Sequence, residues 1–127
     1  MTERKRVLVV DDDGHWRRHV SQTVETAGHT PITAKDEVEA IQLLRNDSFD
    51  LIVTDNSMLA RNSGVSLLMR QNLRGSDTPA ILHTSEVDKE QEQVLREDLP
   101  NVELVIKSYG SDTELREAIE KLLPRAA

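Results

Sequence analysis

The most constraining feature of this sequence is a short apolar run that ends in an acid, FDLIVTD at residues 49–55. Its apolar and β-branched centre, from Leu51 to Thr54, predicts a strand that is buried on both faces. Strands of this kind lie in the middle of a parallel sheet that helices cover on both sides. Ligands of open α/β sheets bind beyond the carboxyl ends of the strands. We therefore expect Asp55, at the end of this strand, to lie at the ligand-binding edge of the sheet.

The rest of the chain alternates between the periods of strands and helices. Short apolar runs predict strands over residues 7–10, 30–34, 49–55, 80–84 and 102–106. Apolar residues at helical spacing predict helices over residues 15–27, 37–46, 65–73, 87–99 and 112–123. Regular alternation implies one parallel sheet with right-handed crossovers and helices on both faces. The strand order 2-1-3-4-5 is the commonest alternative to the dinucleotide-binding order, and we adopt it here.

Apolar positions within the helices predict which side chains face the core. The expected set is Trp16, Val20, Val24 and Ala27 in the first helix, Val38, Ile41 and Leu44 in the second, Leu68 and Met69 in the third, Val87, Val94, Leu95 and Leu99 in the fourth, and Leu115, Ala118, Ile119, Leu122 and Leu123 in the fifth. The fourth helix is otherwise polar, so we expect it to dock weakly and to be adjustable in position.

Composition excludes several classes of protein. The 127 residues are expected to form a single domain over 1–127, with its core over about 6–123 and no effector domain after it. Cysteine is absent, so the sequence offers no disulfide framework and no thiolate site. The net charge of −7 argues against direct nucleic-acid binding. No run is apolar enough for a membrane span or a signal peptide, and we expect a cytoplasmic protein.

Polar residues of complementary kinds follow the predicted strands. Asp11 and Asp12 follow the first strand, Asp55 ends the third, Thr84 ends the fourth, and Lys107 follows the fifth. In the order 2-1-3-4-5 the acids converge. At a separation of about 5 Å, each pair of carboxylates repels by roughly 3 kcal/mol at an effective dielectric constant of about 20. Such a cluster favours a bound cation, and its oxygen ligands suit Mg²⁺.

Each residue of this set also has a simpler explanation when it is taken alone. Asp favours turns and helix N-caps, which is a sufficient reason for Asp13, and a lone Lys is usually a solvated charge. The combination at successive strand ends is what indicates a site for a phosphoryl group, with Lys107 and a hydroxyl as donors to its oxygens.

As a set, these residues resemble the receiver domain of two-component response regulators. The matching pieces are VVDD at 9–12, the strand that ends in Asp55, Gly64 after its loop, Thr84-Ser85 and Lys107, so the resemblance spans nearly the whole chain. It implies a flavodoxin-like (βα)5 fold and a phosphoacceptor role in a two-component or phosphorelay system.

The resemblance also implies a role for each site residue. Asp55 would be phosphorylated by a histidine kinase or a phosphotransfer protein, with Asp12, Asp55 and the backbone carbonyl of Ser57 as Mg²⁺ ligands and Asp11 assisting directly or through water. Thr84 would move to bind the phosphoryl oxygen, and Lys107 would pair with it. The chain would not be an enzyme in the usual sense, although it would take part in its own phosphorylation and dephosphorylation.

The sequence departs from the family at three positions. Leu59, four residues after Asp55, stands where the family usually has proline, and Ser108 stands where proline usually follows the lysine. Leu104 replaces the aromatic residue that commonly rotates with the switch. We therefore hypothesise that phosphorylation persists while the aromatic relay does not. Output to a downstream protein partner would then come from the fourth helix and its neighbouring loops.

Other functions remain open from the sequence. An aspartyl-phosphate phosphatase typically has a second Asp two residues after its nucleophile, where this chain has Ser57, and such enzymes need a cap that is missing here. A flavin or nucleotide binder of the same fold needs a Gly-rich phosphate loop, which is also missing. A receiver-like scaffold that acts without phosphorylation is opposed by the intact acids but is compatible with Leu59 and Ser108.

The aromatic and histidine residues near the acids invite separate explanations. Trp16 is predicted to be a core residue of the first helix, close to the acidic pocket. His15 and His19 are one helical turn apart, a spacing that can bind zinc, but no third ligand is evident and a surface helix explains them better. His83 precedes Thr84 and, by strand alternation, points to the opposite side, so we expect a packed or rim histidine.

Overall fold

A computed structural model describes residues 4–58, 62–86, 88–108 and 112–123. Within these residues five strands alternate with five helices. The strands are β1 (Arg6–Val10), β2 (Thr30–Ala34), β3 (Leu51–Thr54), β4 (Ala80–Thr84) and β5 (Val102–Ile106). The helices are α1 (Gly14–Thr26), α2 (Glu37–Asn46), α3 (Ser63–Leu73), α4 (Lys89–Asp98) and α5 (Thr113–Leu122).

The strands form one parallel sheet in the order β2-β1-β3-β4-β5, which confirms the predicted order and the flavodoxin-like fold. In the register of the central pair, Val10 of β1 lies opposite Thr54 of β3. In the outer pair, Thr84 of β4 lies opposite Ile106 of β5. The residues that follow these strands therefore emerge side by side at one edge of the sheet.

Two hydrophobic clusters cover the two faces of the sheet, as expected for central strands that are apolar throughout. One cluster joins alternate residues of β1, β3 and β4 with α1 and α5, and its members include Val7, Val53, Val20, Val24, Leu115 and Ile119. The other joins the intervening strand residues with α2, α3 and α4, and its members include Leu8, Ile52, Ala40, Leu67, Leu95 and Leu99. Side chains alternate across a strand, so each of these strands contributes to both clusters.

The predicted element types are confirmed, and the bounds shift by a few residues at some ends. β3 begins at Leu51 rather than at 49, because the Asp50 carboxylate accepts a hydrogen bond from the backbone N–H of Arg6 and Phe49 packs into the core ahead of the strand. α3 begins at Ser63, two residues before the expected start. α4 begins at Lys89, and Val87 lies outside the described residues.

The core prediction fails at one residue of α2. Val38 is 54% exposed, whereas Ala40 is fully buried against the sheet and Ile41 and Leu44 are partly buried. Residues 38 and 40 lie about 200° apart around an α-helix, so Val38 faces solvent when Ala40 faces the sheet. The α5 stripe is confirmed, with Leu115, Ala118, Ile119 and Leu123 buried and Leu122 partly buried, and so are the buried residues of α1. None of the described helices is long and apolar enough to cross a membrane.

Candidate functional site

Three acidic side chains converge at the carboxyl edge of the sheet. Asp11 and Asp12 follow β1, Asp55 follows β3, and these two strands are neighbours. One carboxylate oxygen of each acid lies within 4.8 Å of those of the other two. Asp11 and Asp55 are 2% and 6% exposed, whereas Asp12 faces solvent. The sheet order thus brings together acids that are far apart in the sequence.

Backbone hydrogen bonds hold the two buried acids at the ends of their strands. The N–H of Asp55 donates to the Val10 carbonyl at 2.8 Å, and the N–H of Asp11 donates to the Ala34 carbonyl at 3.2 Å. The Asp11 carboxylate also accepts from the N–H of Asp13 at 3.0 Å. Asp13 is the N-cap of α1, where its carboxylate accepts from two first-turn amides, as the simpler explanation of this residue requires.

Lys107 places an ammonium between the two buried acids. Its Nζ lies 3.0 Å from Oδ2 of Asp11 and 3.4 Å from Oδ1 of Asp55, and its side chain is 6% exposed. The base of the residue is also fixed, because its backbone N–H donates to the Thr84 carbonyl at 2.8 Å. One cation is therefore shared by two buried carboxylates, and a third carboxylate lies beside them.

The electrostatics of the pocket leave it short of positive charge. Burial raises the pKa of Asp55 above its usual value, and Asp12 adds to this effect, while Lys107 and a hydrogen bond from the N–H of Asn56 act in the opposite direction. Burial likewise raises the pKa of Asp11, although Asp13 and Lys107 oppose it. A second cation in this pocket would favour the ionised form of both acids.

The donor set fits Mg²⁺. Asp11, Asp12 and Asp55 offer three hard anionic oxygen atoms at one solvent-accessible point, which is the chemistry that Mg²⁺ prefers, with water completing its shell. Ser57 is exposed two residues after Asp55, and its predicted role as a carbonyl ligand stays a prediction.

Thr84 lies at the same edge, but its hydroxyl does not bond to the acids. The residue is 4% exposed, and its Oγ1 donates to the backbone carbonyl of Glu86 at 3.2 Å. A hydroxyl has one proton to donate, so the bond to Glu86 must break before Thr84 can donate to a group on Asp55.

Residues 7–120 match the family model of the response regulator receiver domain. The chain belongs to this family.

Curated relatives and solved structures agree with this membership. The chain is 32% identical over 80 residues to response regulator MprA of Mycobacterium ulcerans, an alignment that covers 63% of this chain and 34% of MprA. The match thus spans about a quarter to a third of the length of these curated relatives. The response regulator TrrA of Thermotoga maritima, solved in complex with Mg²⁺-BeF, is 30% identical with a TM-score of 0.77, covering 94% of this chain and 99% of TrrA. The chemotaxis protein CheY4 of Vibrio cholerae is 25% identical with a TM-score of 0.82, covering 95% of this chain and 100% of CheY4.

Membership of the receiver family establishes the general function of the domain. Receiver domains are signalling domains that bind Mg²⁺ at an acidic pocket and interact with histidine kinases or phosphotransfer proteins and with downstream effectors. The chain is thus a receiver domain of a two-component response regulator, with an acidic pocket of Asp11, Asp12 and Asp55 that is consistent with phosphorylation. The alternatives considered from the sequence, a phosphatase and a scaffold that acts without phosphorylation, are not favoured.

Two residues after Asp55, Gly64 and Asn56, have packing that the sequence did not reveal. Gly64, in the first turn of α3, lies so close to β3 that a Cβ atom there would be 2.1 Å from the carbonyl oxygen of Asp55. Asn56 is 2% exposed, and its side-chain amide donates to Asn62 and Gln91 and accepts from the N–H of Val65. A polar amide directly after a buried strand was the available signal for Asn56.

Gln91 joins α4 of this receiver domain to the loop after Asp55. Its Oε1 accepts from Nδ2 of Asn56 at 3.0 Å, and the residue is 8% exposed. Its Nε2 is buried and has no hydrogen-bond partner among the described residues. The expectation that α4 buries apolar side chains alone is therefore wrong, although Leu95 and Leu99 are buried as predicted and Val94 is partly buried.

The structure describes two of the three positions at which the chain departs from the family. Leu104 is partly buried in β5 and packs against the α4 side of the core. Ser108 is exposed directly after Lys107. Leu59 lies outside the described residues.

Trp16 and His83 are buried beside the pocket, as core and packed residues respectively. The rings of Trp16 and His83 meet edge to face at 5.5 Å, and the ring of His19 also meets that of Trp16 edge to face, at 5.6 Å. His15 is exposed and lies 6.2 Å from Trp16, so both helix histidines surround the indole. Within the described residues, no group of three metal-ligating side chains includes either of them.

Proposed function

We propose that Asp55 accepts a phosphoryl group from a histidine kinase or a phosphotransfer protein in the cytoplasm, and that this switches a surface for a downstream protein partner. The observation that carries the proposal is the shared ammonium: Lys107 lies 3.0 Å from Asp11 and 3.4 Å from Asp55 in a buried acidic pocket. We assign this function to a single receiver domain with its core over residues 6–123.

In the transfer step, a carboxylate oxygen of Asp55 forms a bond to the phosphorus of a phosphohistidine. The phosphorus–nitrogen bond breaks, and the donor imidazole keeps the electron pair and takes up a proton. Both the attacking carboxylate and the phosphoryl group are anionic, so the barrier is largely electrostatic and positive charge along the path lowers it.

Residues of the pocket supply and arrange that positive charge. The Lys107 ammonium is already at hydrogen-bonding distance from Asp11, and it can meet a phosphoryl oxygen on Asp55 by a small movement. Asp11, Asp12, Asp55 and the carbonyl of Ser57 would hold Mg²⁺, which neutralises phosphoryl oxygens when it is bound.

The switch begins at Thr84 and reaches α4. A phosphoryl group carries nearly two negative charges and replaces the single charge of the Asp55 carboxylate, so the site gains about one net negative charge and three acceptor oxygens. These oxygens compete with the Glu86 carbonyl for the Thr84 hydroxyl. Breaking the Thr84–Glu86 bond frees the loop that leads into α4. The Asn56–Gln91 hydrogen bond connects the first turn of α4 to the residue after Asp55. Both connections support α4 and its neighbouring loops as the surface whose position changes.

The test is intact-mass spectrometry after incubation with Mg²⁺ and either acetyl phosphate or a phosphorylated histidine phosphotransfer protein. We expect a gain of one phosphoryl group that EDTA prevents. Asp55→Asn should gain none, while the control Asp50→Asn, at the other end of β3, should gain as much as the wild type. A wild type that gains nothing from either donor, or an Asp55→Asn variant that gains as much, would reject the proposal.

A further inference from the structure

Lys107 contacts an aromatic ring as well as the two acids. Its Nζ lies 5.2 Å from the centre of the Trp16 ring. Trp16 belongs to α1 and is 6% exposed. The ammonium therefore contacts two carboxylates within 3.4 Å and one buried indole. An ammonium is attracted to the face of an aromatic ring, most strongly to that of tryptophan and where water is excluded.

The lysine side chain needs such a contact to be held in one place. A lysine has a flexible four-carbon stem, and its ammonium is a point charge without the fixed directions of a guanidinium. The backbone of Lys107 is anchored to Thr84, but the orientation of the stem depends on the contacts of the side chain itself, with the two acids and with Trp16. The residue that follows is Ser108, which is exposed and leaves the next backbone position less restricted than a proline would.

The indole is itself held by histidines from two elements. His83 of β4 packs edge to face on Trp16 at 5.5 Å and 81°, and His19 of α1 does so at 5.6 Å and 86°. Burial, together with the charges of Lys107 and His19, lowers the pKa of His83 to about 4. His83 is therefore neutral at pH 7 and packs beside the ammonium without repelling it.

We propose that Trp16 is a positioning residue for Lys107, holding its ammonium between Asp11 and Asp55, within reach of an incoming phosphoryl group. This inference rests on the proposed function. In a purely structural role, Trp16 would only fill space between α1 and the sheet, and replacing it would affect phosphorylation whether or not Lys107 is present. In a positioning role, the effect of replacing Trp16 depends on Lys107.

The experiment is a double-mutant cycle on the rate of phosphoryl gain from acetyl phosphate at saturating Mg²⁺. The variants are Trp16→Leu, which keeps apolar volume but removes the ring, Trp16→Phe, which keeps a weaker aromatic face, and Lys107→Met, alone and combined with Trp16→Leu. The control is Val24→Ala, a fully buried residue of the same helix whose side chain lies in the core cluster away from the acids. Urea unfolding of each variant identifies those that are folded.

We expect Trp16→Leu to lower the rate about tenfold and Trp16→Phe about threefold, in line with the strength of a desolvated cation–π contact. In the Lys107→Met background, Trp16→Leu should change the rate less than about twofold, since the group it positions is gone. Val24→Ala, although destabilised, should phosphorylate at the wild-type rate.

Two kinds of result overturn the inference. The first is that folded Trp16→Leu and Trp16→Phe gain the phosphoryl group at the wild-type rate, or that Trp16→Leu lowers this rate by the same factor with and without Lys107. Trp16 then has no positioning role, and the proposed function stands. If the wild type gains no phosphoryl group, the proposed function fails and the inference fails with it.

Discussion

Replacing Gly64 with alanine tests how closely α3 must approach Asp55. The Cβ atom of an alanine would lie 2.1 Å from the carbonyl oxygen of Asp55 and 2.8 Å from Cα of Asn56, where ordinary contacts begin at 3.4 Å. Both neighbours are backbone atoms, and the N–H of Gly64 donates to the Asn56 carbonyl at 3.0 Å. The clash therefore cannot be relieved by turning a side chain. Either the start of α3 or the Asp55–Asn56 backbone has to move by more than an ångström.

The size of the effect follows from two opposing contributions. Overpacking against a rigid neighbour costs up to about 3 kcal/mol. Alanine is a better helix former than glycine by about 1 kcal/mol, which offsets part of this cost because Gly64 lies within α3. We expect Gly64→Ala to lower the free energy of unfolding by about 2 kcal/mol. A displacement of about 1 Å at a reacting group can slow its reaction by up to about a hundredfold, so the rate of phosphoryl gain should fall by at least tenfold.

The assays are urea unfolding followed by circular dichroism and the rate of phosphoryl gain followed by intact mass. Gly14→Ala is the matched control, because Gly14 also lies at the start of a helix beside the acids but its Cβ would meet a flexible Arg17 atom at 3.5 Å. That variant should be as stable as the wild type or more stable, and it should keep its rate. A Gly64→Ala variant with wild-type stability and a wild-type rate would refute the argument from close approach.

Three further predictions concern the surroundings of the pocket. The pKa of His83 is lowered from 6.5 to about 4, so folding excludes a proton that the unfolded chain binds, and stability should fall by up to about 3 kcal/mol as the pH drops from 6.5 to 4. Urea unfolding of His83→Leu should lack this part of the pH dependence, and parallel curves for variant and wild type would contradict it. Trp16 is the one tryptophan of the chain, and its emission should change at millimolar Mg²⁺ because Lys107 contacts both the indole and the acids; an unchanged spectrum would count against this placement. Hydrogen exchange in α4 should respond to Mg²⁺ and beryllofluoride in the wild type and less in Gln91→Leu, which lacks the bond to Asn56. An equal response in both would show that the coupling takes another route.

Much of the fold was predictable because the signals were local. The apolar run of β3, the helical stripe of α5 and the strand–helix alternation are properties of neighbouring residues, and a parallel sheet follows from them. The placement of Asp11, Asp55 and Lys107 at one edge also follows, once each is seen to end or follow a strand. The exposure of Val38 was not predicted, since it depends on which face of α2 packs on the sheet, and that face is the one that carries Ala40.

The contacts around the acceptor required the tertiary structure. Gln91 reads as a surface residue of a polar helix, but it is buried because Asn56, a residue of another loop, offers it a hydrogen-bond donor. His83 and Trp16 are ordinary members of a strand and a helix in the sequence, and no local pattern shows that their rings meet beside the Lys107 ammonium.

By itself, the sequence determined the element types, the buried faces and the residues that a phosphoryl-binding edge needs, because these depend on periodicity and on where each strand ends. The tertiary structure decided which nitrogen and oxygen atoms meet: the ammonium of Lys107 between Asp11 and Asp55, the hydroxyl of Thr84 on Glu86, and the amide of Asn56 on Gln91. Such contacts depend on distances between chain segments that only the packing of helices onto the sheet sets.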